Sequence, residues 1–353
     1  MIENEVFAIG VMSGTSLDGL DLVYVKFDKK KLSDFDILAS ETVSYSDEWK
    51  NKLQNAISFS DKELKKLDFD YGRLLGGIIN NFINTFNIDN INFIASHGHT
   101  VLHQPEKGIT LQVGDGQIIA DITKQKIVCD FRTQDVKLGG QGAPLVPVGD
   151  ELLFSEYDYC LNLGGFANVS FQKGNERIAY DICPVNIVLN KYAEQLGFEY
   201  DDKGKIASNG IFLMALESDL RLLSYYKEKP PKSLGLEWVK KEIFPRLESS
   251  NQKPEDLLRT FTDHIAWAVA NELPKNAKIL VTGGGAFNDY LISKIKQKKK
   301  TTLIIPSAKI INFKEALIFA LLGLLRIDNQ VNCLKSVTGA RENHSSGVIF
   351  MPK

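Results

Sequence analysis

The stretch GVMSGTSLDGLDLVYV, residues 10–25, decides how this chain is read. Apolar runs flank a centre, SGTSLDG, that holds two glycines, three hydroxyls and one aspartate. A plain reverse turn needs only about two or three such residues. A longer turn, closing a hairpin between strands expected over 6–12 and 20–27, aims several backbone N–H groups at one point. Glycine supplies φ > 0 conformations and lets a bulky anion reach the main chain. Ser13, Thr15 and Ser16 add hydroxyl donors.

Two further turns have the same character: LGGFAN, from Leu163, and TGGGAFN, from Thr282, each closing an expected strand. The second opens a helix, whose N-terminus favours negative charge. Any one of them reads equally well as a tight turn. Three at matching places after strands favour a nucleotide site. None carries the Lys of a P-loop, and none is GxGxxG, which argues against a Rossmann dinucleotide site.

The remaining pattern runs twice through strand, glycine-rich turn, strand, strand, then helices mixed with strands. The first round has strands at 6–12, 20–27 and 37–44, a helix at 62–86 with a break expected near DFDYG, and strands at 93–96 and 110–113. A helix at 117–124 and a strand at 127–130 complete it. The second round has strands at 159–163, 169–172, 178–182 and 278–282, with helices at 184–196, 254–273, 289–296 and 315–326. No internal sequence repeat is evident, but the order implies two related α/β domains with the ligand between them. EKPPKS, around Lys229, reads as a surface loop, and KIKQKKK, from Lys294, as a solvated helix end.

Composition narrows the function. The 353 residues suffice for two domains, and 44% apolar content suffices for their cores. A net charge of -2 shows no bias toward nucleic acid or anionic membrane. The longest apolar run, ALIFALLGLL, falls short of the ~18 residues a spanning helix needs. The N-terminal residues carry no basic, signal-like region. Cys129, Cys160, Cys183 and Cys333 show no CxxC spacing, which fits reduced thiols in a cytoplasmic protein. The partners expected are small molecules, with neither nucleic acid nor membrane. The oligomeric state stays open, a homodimer among the options.

The blocks GVMSGTSLDGLD, SHGHTVLHQP, LQVGDGQIIA, DFRTQDVKLGGQGAPLVP, NLGGFANVS, VTGGGAFNDYL, EALIFALLG and SVTGAR follow one another from Gly10 to Arg341. In this order they resemble the anhydro-N-acetylmuramic acid kinases. The resemblance implies an α/β protein with two ribonuclease-H-like domains of the actin/sugar-kinase fold, a hinge and a ligand cleft between them. The domains are expected at 1–137 with 315–353, and at 138–314. The family converts 1,6-anhydro-N-acetylmuramic acid, a product of cell-wall turnover, into N-acetylmuramic acid 6-phosphate with ATP and water. By resemblance the first turn, Gly14, Thr15, Ser16, Leu17, Asp18, Gly19, Leu20 and Asp21, holds ATP phosphates. Gly164, Gly165 and Asn168 resemble the second phosphate turn, and Gly283, Gly284, Gly285 and Asn288 the adenosine side.

The reaction needs a base for the attacking water. Asp181, in YDICPVN, ends an expected strand before a helix, and the family pattern places its catalytic Asp there. Read alone, such an Asp is more readily a cap or turn residue, and the family context reverses that preference. The family reads close to DTGPGN, so Cys183 and Val185 replace two small positions, and a reshaped pocket is expected if those positions let substrate approach. Mg²⁺ on the phosphates would be held through water by an acid of the first turn, with Asp18 the metal candidate. His97 and His99 alternate on one expected strand face near His103, but no Cys or Glu completes a zinc set. His99 replaces the family's Gln in HGQT, and His97 is expected to bind sugar or order the site. Arg132, Asp135 and Gln141 form a polar cluster, in which Arg132 suits the substrate's carboxylate or a salt bridge between domains. Ser13, Asn186 and Glu315 complete the substrate-side candidates. Glu315 reads alone as a helix-start acid. Two other readings share the fold: a kinase for an ordinary sugar hydroxyl or acetate, and an ATP-binding scaffold without turnover, which has no need of Asp181.

Overall fold

The computed structural model describes residues 4–14, 17 and 19–353. The expectations for Thr15, Ser16 and Asp18 lie outside these residues. The chain divides into two compact units, Met1–Ser155 with Phe313–Lys353, and Glu156–Asn312.

The first unit is built on a six-stranded sheet. β1 (Glu5–Ser13), β2 (Gly19–Asp28) and β3 (Phe35–Ser44) run antiparallel in sequence order. β4 (Phe93–Ser96) pairs parallel with β1 on its other side. After a separate ribbon of β5 (His99–Gln104) and β6 (Ile109–Val113), β7 (Ile127–Cys129) adds parallel to β4.

The second unit repeats the plan with β8 (Tyr159–Leu163), β9 (Phe166–Lys173), β10 (Glu176–Pro184), β11 (Lys278–Thr282) and β12 (Thr302–Ile304). β8, β9 and β10 are antiparallel, and β11 and β12 add in parallel beyond β8. Both sheets therefore read third, second, first, fourth, fifth. This is the ribonuclease-H-like order, and it makes visible a duplication that the residues conceal. The first unit adds one more strand, β13 (Val348–Phe350), antiparallel to β7.

Helices cover these sheets through apolar stripes. The helix Asp61–Thr85 buries Tyr71, Leu75, Ile79 and Phe82, a spacing that keeps them on one face. Ser60 and Glu63 form its capping box. It runs unbroken through DFDYG, contrary to expectation. Gly72 marks a close contact instead: a Cβ there would lie 3.1 Å from the Asp115 backbone. The apolar helix Ala308–Ile327 presses so closely on β1 that a Cβ on Gly10 would meet the Ala316 carbonyl at 2.0 Å. It starts about two turns before Glu315. That removes the helix-start reading of Glu315.

Three more expectations change. Residues 138–155 cluster with the first unit rather than the second. Gln141 N–H donates to the Thr338 carbonyl at 2.7 Å, and Asp150 pairs with Lys314 at 2.6 Å in the interior. Pro184 closes β10 instead of opening a helix, and the helix runs Asn186–Glu194. His97 lies past the end of β4, with Gly98 at φ 70° before β5, so His97 and His99 do not share a strand face. Among the described residues the four cysteines are buried and form no disulfide. No described helix is long and apolar enough to cross a membrane.

Candidate active site

In the first unit, Ser13 at the end of β1 pairs with Leu20 of β2. Leu17 adopts φ 60°, its N–H donates to the Gly14 carbonyl at 3.3 Å, and its side chain packs on the core. Leu20 is also a core residue. Their side chains are thus not ligand groups, and only their main chain is left for a phosphate. Gly19 serves the sheet, because a Cβ there would meet the Val43 carbonyl at 2.7 Å. Asp21 accepts from the Thr42 hydroxyl at 2.6 Å.

Ser13 roots the end of β1 in a buried relay. Its Oγ lies 2.8 Å from the Tyr45 hydroxyl and 2.9 Å from His99 Nδ1, and Tyr45 meets Tyr71 at 2.6 Å. Every hydroxyl finds an acceptor if Tyr71 donates to Tyr45, Tyr45 to Ser13 and Ser13 to His99. Burial lowers the His99 pKa to about 4, which keeps the ring neutral and accepting. Ser13 therefore fixes the end of β1 through an engaged hydroxyl.

The Arg132 cluster forms as expected, with altered roles. Arg132 directs Nε and Nη2 at His97 Nε2, at 3.1 and 2.9 Å, and Nη1 at the Gly142 carbonyl, at 2.6 Å. Burial, and secondly the guanidinium, hold His97 well below its usual pKa, so it stays an acceptor. His97 thus orders Arg132. Asp135 is wholly buried, taking the Gly142 N–H and the Thr338 hydroxyl, each at 2.7 Å. It shapes the Gly139–Gly142 loop and is not open to substrate. Gln141 is exposed, and so is Glu315. Protein atoms crowding the Glu315 carboxyl raise its pKa; Asp21 adds to this, while Lys314 and Arg132 oppose it.

In the second unit a β-bulge between Asp181 and Cys183 turns β10 just where it passes Asn168 of β9. Asp181 is half-buried, and three groups hold it. Leu234 N–H donates to Oδ2 at 2.8 Å, the Tyr225 hydroxyl donates to its carbonyl at 2.8 Å, and its own N–H donates to the Lys232 carbonyl at 3.2 Å. Desolvation raises its pKa, and the Leu234 N–H partly offsets that. The loop EKPPKS is therefore no simple surface loop. Lys232 is buried, reaching Glu272 at 3.1 Å and lying 5.0 Å from the Tyr225 ring centre. The sequence reading missed Tyr225, Lys232 and Leu234. The paired prolines, which fix the chain where it passes β10, were the available signal.

The two glycine turns of this unit meet at the C-terminal ends of β8 and β11. Gly283 has φ 80°, and a Cβ there would lie 2.6 Å from Asn162 Oδ1. A Cβ on Gly285 would lie 2.8 Å from Leu163 Cβ, whereas Gly165 has open space and Gly284 nothing nearer than Asn186 Nδ2 at 3.5 Å. Gly164 and Gly165 avoid the left-handed region; a Cβ on Gly164 would lie 3.1 Å from Asn162 Nδ2, so of the two only Gly165 is open. Asn186 holds the first of these turns, its Nδ2 donating to the Leu163 carbonyl at 3.2 Å. Asn288 Oδ1 caps the helix Asp289–Lys298, accepting from Leu291 N–H at 2.9 Å. Cys183 and Val185 face the core, so they fill the interior rather than reshape a pocket.

The family model for anhydro-N-acetylmuramic acid kinase matches residues 6–352. The chain belongs to this family. The anhydro-N-acetylmuramic acid kinase of Mannheimia succiniciproducens is 34% identical over 98% of each chain. That of Acinetobacter baylyi is 33% identical over 94% of this chain and 96% of its own. Among solved structures, the (R)-2-hydroxyglutaryl-CoA dehydratase component A of Acidaminococcus fermentans covers 90% of this chain and 96% of its own at 11% identity, with a TM-score of 0.46.

Proposed function

We propose that this chain opens 1,6-anhydro-N-acetylmuramic acid with water and phosphorylates O6 from ATP, and that Asp181 is the general base. The single observation that carries the assignment of the base is its setting. A half-buried carboxylate of raised pKa sits on a bulged strand, beside the glycine turn of β8–β9, and is aimed by Leu234 N–H. Water attacks the anomeric carbon and gives a proton to Asp181. The bond from that carbon to O6 breaks, and O6 takes the γ-phosphoryl group as ADP leaves. The proton on Asp181 then passes to solvent. A base so placed contributes ~10²–10⁴-fold.

The main chain of 14–18, with the hydroxyls of Thr15 and Ser16, together with Gly164 and Gly165, binds the phosphates. Gly283–Gly285 line the adenosine side. Mg²⁺, when bound, neutralises phosphate charge. The acids of the first turn, Asp18 and Asp21, suit it as hard oxygen donors able to act through water, and Asp21 is already oriented by Thr42. Arg132, held flat by His97 and Gly142, presents a planar cation to the lactyl carboxylate, and Glu315 and Gln141 are exposed candidates for further substrate contacts. Cysteines without a disulfide suit a reducing compartment such as the cytoplasm.

The test is coupled ADP release from purified full-length chain, with the anhydro sugar, N-acetylmuramic acid, glucose and acetate compared. Turnover with the anhydro sugar alone is expected. Turnover with glucose or acetate instead would make this an ordinary kinase, and none with any acceptor a scaffold.

A further inference from the structure

Among the described residues, Asp135, Cys333 and His344 are one group whose ligand atoms lie within 4.8 Å of one another. Cys333 and His344 face each other across an isolated antiparallel bridge, exchanging N–H···O bonds of 3.1 and 3.2 Å. Opposed residues of such a pair project side chains on one side. Asp135 reaches them from the helix Thr133–Lys137, and all three residues are at least nine-tenths buried.

His344 supplies the decisive detail. Its Nδ1 lies 3.1 Å from the Glu342 carbonyl. A carbonyl only accepts, so Nδ1 carries a proton, and Nε2 without one presents a lone pair. That buried Nε2 has no hydrogen-bond partner and faces Asp135 Oδ1 at 3.5 Å. A buried lone pair against a carboxylate is unfavourable unless a cation or a proton lies between them. One ring nitrogen donating to a carbonyl while the other faces anionic donors is how ligating histidines are oriented.

We propose that Asp135, Cys333 and His344 bind a divalent transition metal of the Zn²⁺ class. A sulfur, an imidazole nitrogen and a carboxylate oxygen select such an ion over Mg²⁺. On binding, the Cys333 S–H bond breaks, its proton leaves to solvent, and the sulfur pair forms the bond to the metal, with no change of oxidation state. Thiolate and carboxylate together balance the dication, while Glu315 continues to favour the charge of Arg132. The metal ties the segment from Cys333 to His344 onto the helix that follows Arg132. It is a staple for the guanidinium rather than a participant in phosphoryl transfer.

The test uses the full chain without substrate, so its result is independent of the kinase reading. Protein stripped with chelator, equilibrated with Zn²⁺ and desalted is expected to retain about one equivalent and to release about one proton on uptake. Cys333→Ser and His344→Gln are each expected to weaken zinc binding at least tenfold, the loss typical of a disturbed metal shell. Retention of less than about a tenth of an equivalent by the wild type, or equal affinity in wild type and both variants, overturns the proposal. A proton shared by His344 and Asp135 gives the first of these results. If the variants do not fold, Co²⁺ bound to the wild type decides: a thiolate-to-cobalt charge-transfer band supports the site, and its absence overturns it.

Discussion

Replacing Leu234 by Pro removes one N–H and nothing else from the Asp181 carboxylate, and its effect can be worked from the structure. That N–H lies 2.8 Å from Oδ2 and lowers a pKa that desolvation raises. A hydrogen bond to a charged group contributes about 1.5–3 kcal/mol. At about 1.4 kcal/mol per factor of ten, its loss raises the proton affinity of Asp181 roughly 10- to 100-fold. Asp181 is only half-buried, so water replaces part of the lost bond and the lower end is expected. The sign follows directly. The base must be ionised to accept a proton from water, and a higher pKa leaves less of it ionised at a given acid pH. The acid limb of the kcat/KM profile should therefore move toward higher pH, with a rate about tenfold lower on that limb and recovery in alkali. Leu234→Ala keeps the N–H and should match the wild type. Thermal melting of both variants checks that the loop survives. An acid limb that stays in place in a folded Leu234→Pro protein would refute Asp181 as the titrating base.

Gly284→Val should weaken ATP at least tenfold by calorimetry with the melting temperature nearly unchanged, because a Cβ there meets nothing closer than 3.5 Å; unaltered affinity removes Gly284 from the nucleotide site. Gly10→Ala should instead cost about 2–3 kcal/mol or more in urea unfolding, since a backbone carbonyl stands 2.0 Å from its Cβ. Arg132→Ala should raise KM for the sugar at least tenfold and leave KM for ATP unchanged, and Arg132→Lys should not restore it, because a point charge cannot reproduce the fork. Equal losses for both substrates would assign Arg132 to the fold rather than to the carboxylate.

What the sequence disclosed and what it hid have physical causes. Alternating and 3.6-period apolar patterns located most strands and long helices, and the strand–turn–strand order at 6–27 and 159–182 implied two α/β halves. Glycine was harder to read. Gly72 looked like a break and Gly19 like a phosphate contact, yet both mark a close approach by another segment, which no local pattern records. Asp135 and Asn288 carry the residue types of a small-molecule site, and the sequence could not show that the first is enclosed by Gly142 and Thr338 or that the second caps a helix. Asp181 was legible, whereas its support by Tyr225, Lys232 and Leu234 lies more than forty residues downstream. The Ser13–His99 contact spans 86 positions, and only tertiary structure brings such partners together.

The central claim is that Asp181 directs water to the anomeric carbon while phosphate from ATP arrives on O6. Turnover in H₂¹⁸O, read by mass spectrometry of both products, tests it most directly. The account predicts one ¹⁸O on the anomeric carbon of the sugar phosphate and none in its phosphoryl group, with the incorporation rate down at least ~10²-fold in Asp181→Asn and sugar binding nearly preserved. Label in phosphate would show simple ATP hydrolysis, and undiminished labelling of the sugar by Asp181→Asn would place the base elsewhere; either result contradicts the account.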